Sequence, residues 1–94
     1  MKVEILESDV VWRDLDGDIV ILNLATGHYY GLEGAANRMW QLLVEHGSTE
    51  QVVEVMAREY DVDVARLEKD LGELLEELAR RSIVQFAGAT SSQA

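Results

Sequence analysis

The segment Asp18 to Leu43, DIVILNLATGHYYGLEGAANRMWQLL, constrains the fold more than any other part of the chain. It begins with the near-continuous apolar run Ile19 to Leu24, which suggests a strand covered on both faces and so central in a sheet. Ala25-Thr26-Gly27 is a turn. His28 to Leu32 follows as a short aromatic strand. From Gly34 the period changes: Ala36, Met39, Trp40, Leu43 and Val44 fall at helical spacing and predict a helix over 34–45.

The flanks extend this pattern. Val10 to Leu15 reads as a strand. Asp16-Gly17 joins it to the central run as a tight hairpin, because both central residues of such a turn need positive φ. His46-Gly47 ends the first helix. Ser48-Thr49-Glu50-Gln51 has the form of a capping box, with Ser48 as N-cap and Gln51 reaching back. It opens a second helix that runs to Tyr60. Asp63 is the expected N-cap of a third helix over 64–81. Val64, Leu67, Leu71, Leu74, Leu75 and Leu78 form the apolar stripe of that helix, and Arg80 and Arg81 complement its C-terminal dipole. Ile83 to Phe86 either adds a short strand or packs as a tail. The expected fold is α+β: a winged-helix-like single domain over 1–86, with a three-stranded antiparallel meander followed by three helices. Residues 87–94, AGATSSQA, read as a disordered tail.

Chemistry is hard to place on this chain. Its 94 residues include no Cys, so thiol nucleophiles, disulfides and thiolate metal sites are excluded. His28 and His46 stand in no spacing that would put two metal ligands on one helix face. Asp14 to Asp18 superficially resembles a calcium loop but lacks the bidentate Glu at the twelfth position. No cofactor, metal or catalytic residue is expected. The balance of 18 acidic against 8 basic side chains gives a net charge of −10. That charge opposes binding to phosphate backbones and to anionic membranes. A DNA-reading helix would begin Val64-Ala65-Arg66-Leu67-Glu68-Lys69-Asp70, which carries as many acids as bases. No run is apolar enough to span a bilayer. The N-terminal MKVEILESD lacks a basic region followed by an apolar stretch, so a cytoplasmic protein is expected.

The aromatic strand is the exception to this blandness. If nothing pairs with its outer side, it leaves unpaired backbone N–H and C=O groups, and no Pro or Lys protects them. An extended peptide can add there as a further strand. His28, Tyr30 and Leu32 share one face, while Tyr29 and Gly31 share the other.

The run Leu22 to Leu32, then Ala36 and Met39-Trp40-Gln41-Leu42-Leu43, resembles the PqqD-like superfamily, also called RiPP recognition elements. RiPP stands for a ribosomally made, post-translationally modified peptide. Tyr60-Asp61-Val62 and Leu67-Glu68-Lys69-Asp70-Leu71 extend the likeness over about residues 8–86. No single motif carries it. The order of elements and the Tyr-Tyr-x-Leu to Trp-x-Leu-Leu spacing do. Within the superfamily the chain looks most like the stand-alone recognition protein of lasso-peptide pathways. Relatives serving pyrroloquinoline quinone synthesis usually carry Pro-Glu between the second and third strands, where this chain has Ala25-Thr26-Gly27.

The resemblance implies a non-catalytic protein that binds the leader of a precursor peptide by strand addition. It would deliver that peptide to a companion leader peptidase, a transglutaminase-like cysteine protease. The implied peptide-binding residues are Tyr29, Tyr30, Gly31 and Leu32 on the strand, with Leu67, Asp70, Leu71 and Leu74 on the third helix. The helix leucines read equally well as core. Two alternatives stay open: a peptide carrier for a radical enzyme of quinone or other RiPP synthesis, and a winged-helix DNA-binding regulator.

Overall fold

The computed structural model describes residues 1–87. The elements run β1 (Lys2–Ile5), β2 (Val10–Leu15), β3 (Asp18–Asn23), β4 (Tyr29–Gly31), α1 (Ala35–His46), α2 (Thr49–Glu59), α3 (Val64–Arg80) and β5 (Val84–Ala87). The fold is α+β, with the antiparallel meander β2-β3-β4 beside three helices, as the sequence predicts. Of the tail expected over 87–94, Ala87 ends β5 and the rest lies outside the described residues.

The β2–β3 hairpin turns on Asp16 at φ 58° and Gly17 at φ 94°. The Gly17 N–H donates to Asp14 Oδ1 at 2.7 Å, which closes the turn from within. The register pairs Val10 with Asn23 and Leu15 with Asp18. Ile19 and Ile21 of β3 are fully buried against the helices. The opposite face, carrying Val20 and Leu22, is only half-buried, with Val11 of β2 and Tyr29 of β4 exposed beside them. The central position expected of β3 holds, but cover on both faces does not. All three helices lie on one side, and no element covers the other among the described residues.

The core is built where α1 meets the sheet. Trp40 is fully buried and meets the edge of Trp12 with ring centroids 6.0 Å apart. Leu42 and Leu43 of α1, Val52 and Met56 of α2, and Leu67, Leu71, Leu74, Leu75 and Leu78 of α3 complete it. The α3 stripe is therefore the apolar face that its spacing predicts. Asp63 caps α3 as expected, its Oδ1 accepting from the Ala65 N–H at 3.3 Å.

Two features depart from the sequence reading. The N-terminal residues form β1, which pairs antiparallel with β5 from Lys2 opposite Ala87 to Ile5 opposite Val84. Of the two fates expected for Ile83 to Phe86, the strand is realised. The second departure is the capping box. Ser48 stands at the N-cap of α2, but its side chain makes no capping bond and Gln51 does not reach back. The Ser48 hydroxyl instead donates to Glu50 Oε1 at 2.9 Å. Met1, just before β1, packs against this turn: its C=O accepts the Thr49 N–H at 2.9 Å and its terminal amine bonds to Glu50. That amine, with help from Ser48, holds the Glu50 carboxyl down at about 2.

Candidate functional site

β4 is an edge strand, and its hydrogen-bond parity is fixed at both ends. The Leu32 N–H donates to Ile19 O at 2.8 Å, and the Asn23 N–H donates to His28 O at 2.9 Å. In an antiparallel ladder alternate residues face the partner strand. Residues 28, 30 and 32 therefore direct their backbone groups at β3. Tyr29 and Gly31 direct their N–H and C=O groups outward, and no strand lies beyond β4 among the described residues. The edge is open to main-chain pairing at two alternate residues, the pattern an added strand needs.

The side chains divide as strand alternation predicts. Tyr30 is half-buried against the core and Leu32 is 4% exposed. Tyr29 points to the uncovered sheet face and is 70% exposed. At Gly31, on the same face as Tyr29, an added Cβ would meet nothing within 4 Å.

Beside β4 lies a cleft of about 180 Å³, walled by Tyr29 and Tyr30 on one side and by Arg80, Arg81 and Ser82 on the other. Asn23 builds its floor. This 3% exposed side chain donates to Arg81 O at 3.1 Å and to Ser82 O at 3.2 Å. Its Oδ1 accepts from the Ala25 N–H at 2.9 Å and the Thr26 N–H at 3.3 Å. All four hydrogen-bonding positions of the amide are used. One residue thus shapes the β3–β4 turn and ties it to the end of α3. Asn37 of α1 plays a comparable part at the other end of β4, where its Oδ1 accepts from the buried Ile19 N–H at 2.8 Å.

The guanidinium of Arg81 stacks over the Tyr30 ring, 4.5 Å from its centroid. Glu77 accepts from Arg81 Nε at 2.7 Å and from Arg80 at 2.9 Å. Asp70, Leu74, Glu77 and Arg81 recur at i, i+4, i+7 and i+11, one strip of the helix. Of these four, Arg81 is the one that meets β4.

The structure brings together only part of the residue set inferred from sequence. Tyr29, Tyr30, Gly31 and Leu32 lie on the edge strand. Leu74 is 7% exposed and belongs to the core, Asp70 is ion-paired to Arg66 at 3.6 Å, and neither lines the cleft beside β4. Leu67 is core, and Leu71 faces a separate cleft between α2 and α3. Asn23, Glu77 and Arg81 were not expected at the site. A signal for Arg81 was available, since it falls seven residues after Leu74 on the same helical strip.

Among the described residues no three His, Cys, Asp or Glu side chains form a group that would hold a metal, and no helix is long and apolar enough to cross a membrane.

Residues 18–84 match the family model described as coenzyme PQQ synthesis protein D, PqqD. Among solved structures, the chain is similar to TbiB1, solved in complex with the TbiA(β) leader peptide. The two share 35% identity over 90% of this chain and 95% of that one, with a TM-score of 0.80. It also shares the fold of a lasso peptide synthetase B1 complexed with its leader peptide, at 21% identity over 90% of this chain and 99% of that one, with a TM-score of 0.79. No curated protein matches the chain.

Proposed function

The chain belongs to the PqqD family, and from that premise we propose that it is a leader-peptide recognition protein of lasso-peptide biosynthesis. It binds the leader of a precursor peptide as a strand added to β4. It performs no chemistry itself and presents the peptide in the cytoplasm to a companion leader peptidase. The observation that carries this reading is the open β4 edge, where the backbone groups of Tyr29 and Gly31 point outward beside a cleft walled by the end of α3. Main-chain bonds there would supply affinity, and the cleft would read alternate side chains of the peptide. The relative at 35% identity was solved with a leader peptide bound, which supports the same ligand class.

The family's description favours one alternative, a carrier for quinone synthesis. Ala25-Thr26-Gly27 in place of Pro-Glu and the likeness to TbiB1 weigh against it. The regulator reading is weakened by charge: Arg66, at the start of the would-be recognition helix, is already paired with Asp70.

The test is a calorimetric titration with the leader of the precursor encoded beside this gene, followed by amide exchange. Saturable binding with protection concentrated at the amides of residues 28–32 supports the reading. Protection equal to that of β2, or confined to α2, defeats it.

A further inference from the structure

The sheet face turned away from the helices is apolar, where the solvated face of an antiparallel sheet is normally polar. Val11, Leu15, Val20, Leu22 and Tyr29 line a shallow cleft of about 230 Å³ on it. Val11, Leu15 and Tyr29 are exposed there, and Val20 and Leu22 are half-buried. Among the described residues, Arg13 is the one charged side chain in that lining.

The register arranges this face in rows that run toward the open edge. One row is Val11, Leu22 and Tyr29, and the next is Arg13, Val20 and Gly31. The first row ends on β4 in an aromatic ring and the second in no side chain at all. The backbone does not call for glycine at position 31. Its φ lies outside the left-handed region, and an added Cβ would meet nothing within 4 Å. Glycine inside a strand costs chain entropy and packs nothing. What it leaves is a gap beside Tyr29, through which Val20 can be reached from the edge.

We propose that the uncovered sheet face is the second half of the leader site. It takes two apolar side chains of the leader at alternate positions, the larger lying across Gly31 onto Val20. This rests on the leader-recognition reading above. The occupant follows from strand geometry. A strand bonded to the outward groups of Tyr29 and Gly31 continues the sheet, and residues side by side on paired strands point to the same face. The leader residues beside Tyr29 and Gly31 therefore project over this face. The leader residue between them, beside Tyr30, points the other way, toward the cleft walled by the end of α3. Beside Tyr29 a leader side chain packs on an aromatic ring. Beside Gly31 it must bridge one strand spacing, about 4.8 Å, to reach Val20. An aromatic or long aliphatic side chain can do so, and covering an edge glycine from the neighbouring strand stabilises a sheet. Polar residues at these two positions would gain main-chain bonds alone and leave Val20 and Leu22 uncovered.

The experiment uses the full chain with isotope-labelled Val and Leu methyl groups, and the synthetic leader of the precursor encoded beside this gene. Intermolecular NOEs to the Gly31 backbone identify the leader residue beside it. That residue should be large and apolar and show NOEs to the Val20 methyls, and the next alternate residue should show them to the Tyr29 ring. Val20→Thr keeps the size and strand preference of the side chain. It should weaken the natural leader about two- to fivefold, the range of a cross-strand contact. It should cost nothing further once the leader residue beside Gly31 is truncated to Ala, because the two changes remove one contact. Leu15→Thr, on the same face but at the hairpin end, should leave affinity unchanged. Unperturbed Val20 methyls in a complex that protects the amides of 28–32, or a polar leader residue beside Gly31, overturn the inference while the functional reading stands. Equal losses from Val20→Thr and Leu15→Thr also overturn it. A leader that fails to bind, or that protects amides elsewhere, defeats the functional reading and this inference with it.

Discussion

Arg81, just beyond the end of α3, lies with its guanidinium carbon 4.5 Å above the ring centre of Tyr30 on β4. This contact couples the two walls of the candidate cleft. The Arg81 side chain is 43% exposed and also bonded to Glu77, so the contact contributes little to stability. A cation over an aromatic ring at a partly exposed site is worth about 0.5–1 kcal/mol.

The first prediction follows. Arg81→Ala should change unfolding free energy by less than about 1 kcal/mol, while leader affinity falls several-fold because one wall of the cleft is lost. Chemical denaturation and a leader titration on the same sample check both. A large loss of stability with unchanged affinity would make Arg81 a purely structural residue.

Asn37 is predicted to matter for the fold rather than for binding chemistry. Its side chain accepts the buried N–H of Ile19, beside the point where β4 leaves β3. Asn37→Ala leaves that donor unpaired, which costs about 1–3 kcal/mol. Urea unfolding should show this loss. A neutral result would mean that water reaches the Ile19 N–H.

Much of this architecture is legible in the sequence, and the gaps have physical causes. Asp16-Gly17 can be read because few residue pairs accept positive φ in succession. The leucines of α3 can be read because helical period marks burial. Period does not say which neighbour a buried face meets, so Leu67, Leu71 and Leu74 can be read from spacing as core or as peptide-facing alike, and all three are core. Asn23 and Asn37 belong to no period at all. Each is placed by backbone groups far away in sequence that would otherwise be buried unpaired. β1 was hidden for a related reason. Lys2-Val3-Glu4-Ile5 alternates correctly, but four residues carry little signal, and their partner lies at the other end of the described chain.

Acid should weaken the tie between α1 and α2. Arg38 meets Glu59 through two contacts, Nε to Oε1 at 2.9 Å and Nη2 to Oε2 at 2.5 Å. The hydrogen bond from Arg38, and then its charge, hold the Glu59 carboxyl below its usual value of 4.5. A carboxyl lowered on folding adds stability above its unfolded value, and that stability is lost as pH falls through the folded value. The contribution of Glu59 should therefore be complete near neutrality and disappear below the ordinary carboxylate range. Melting temperatures of the wild-type protein and Glu59→Gln should differ at about pH 7 and converge as the pH falls below the ordinary carboxylate range. A constant difference would assign the effect to packing instead of charge.

Gly31→Pro tests the edge directly. The parity of the β3–β4 ladder turns the Gly31 N–H away from β3, so proline there removes a donor the fold does not use. Its φ is not in the left-handed region, and an added Cβ has open space. Proline also biases the preceding residue toward extended backbone, and Tyr30 is already in a strand. The domain should keep its circular-dichroism spectrum and melting temperature. Leader binding, by contrast, would leave a peptide carbonyl without its partner on a partly desolvated edge. An unmade bond of that kind costs about 1–3 kcal/mol, so affinity should fall roughly tenfold or more. Gly31→Ala keeps the N–H and should bind within a few-fold of the wild-type protein. If the proline variant binds as tightly as the alanine variant, the peptide does not pair with the outward groups of β4. If it unfolds, the hydrogen-bond parity deduced for the edge is wrong.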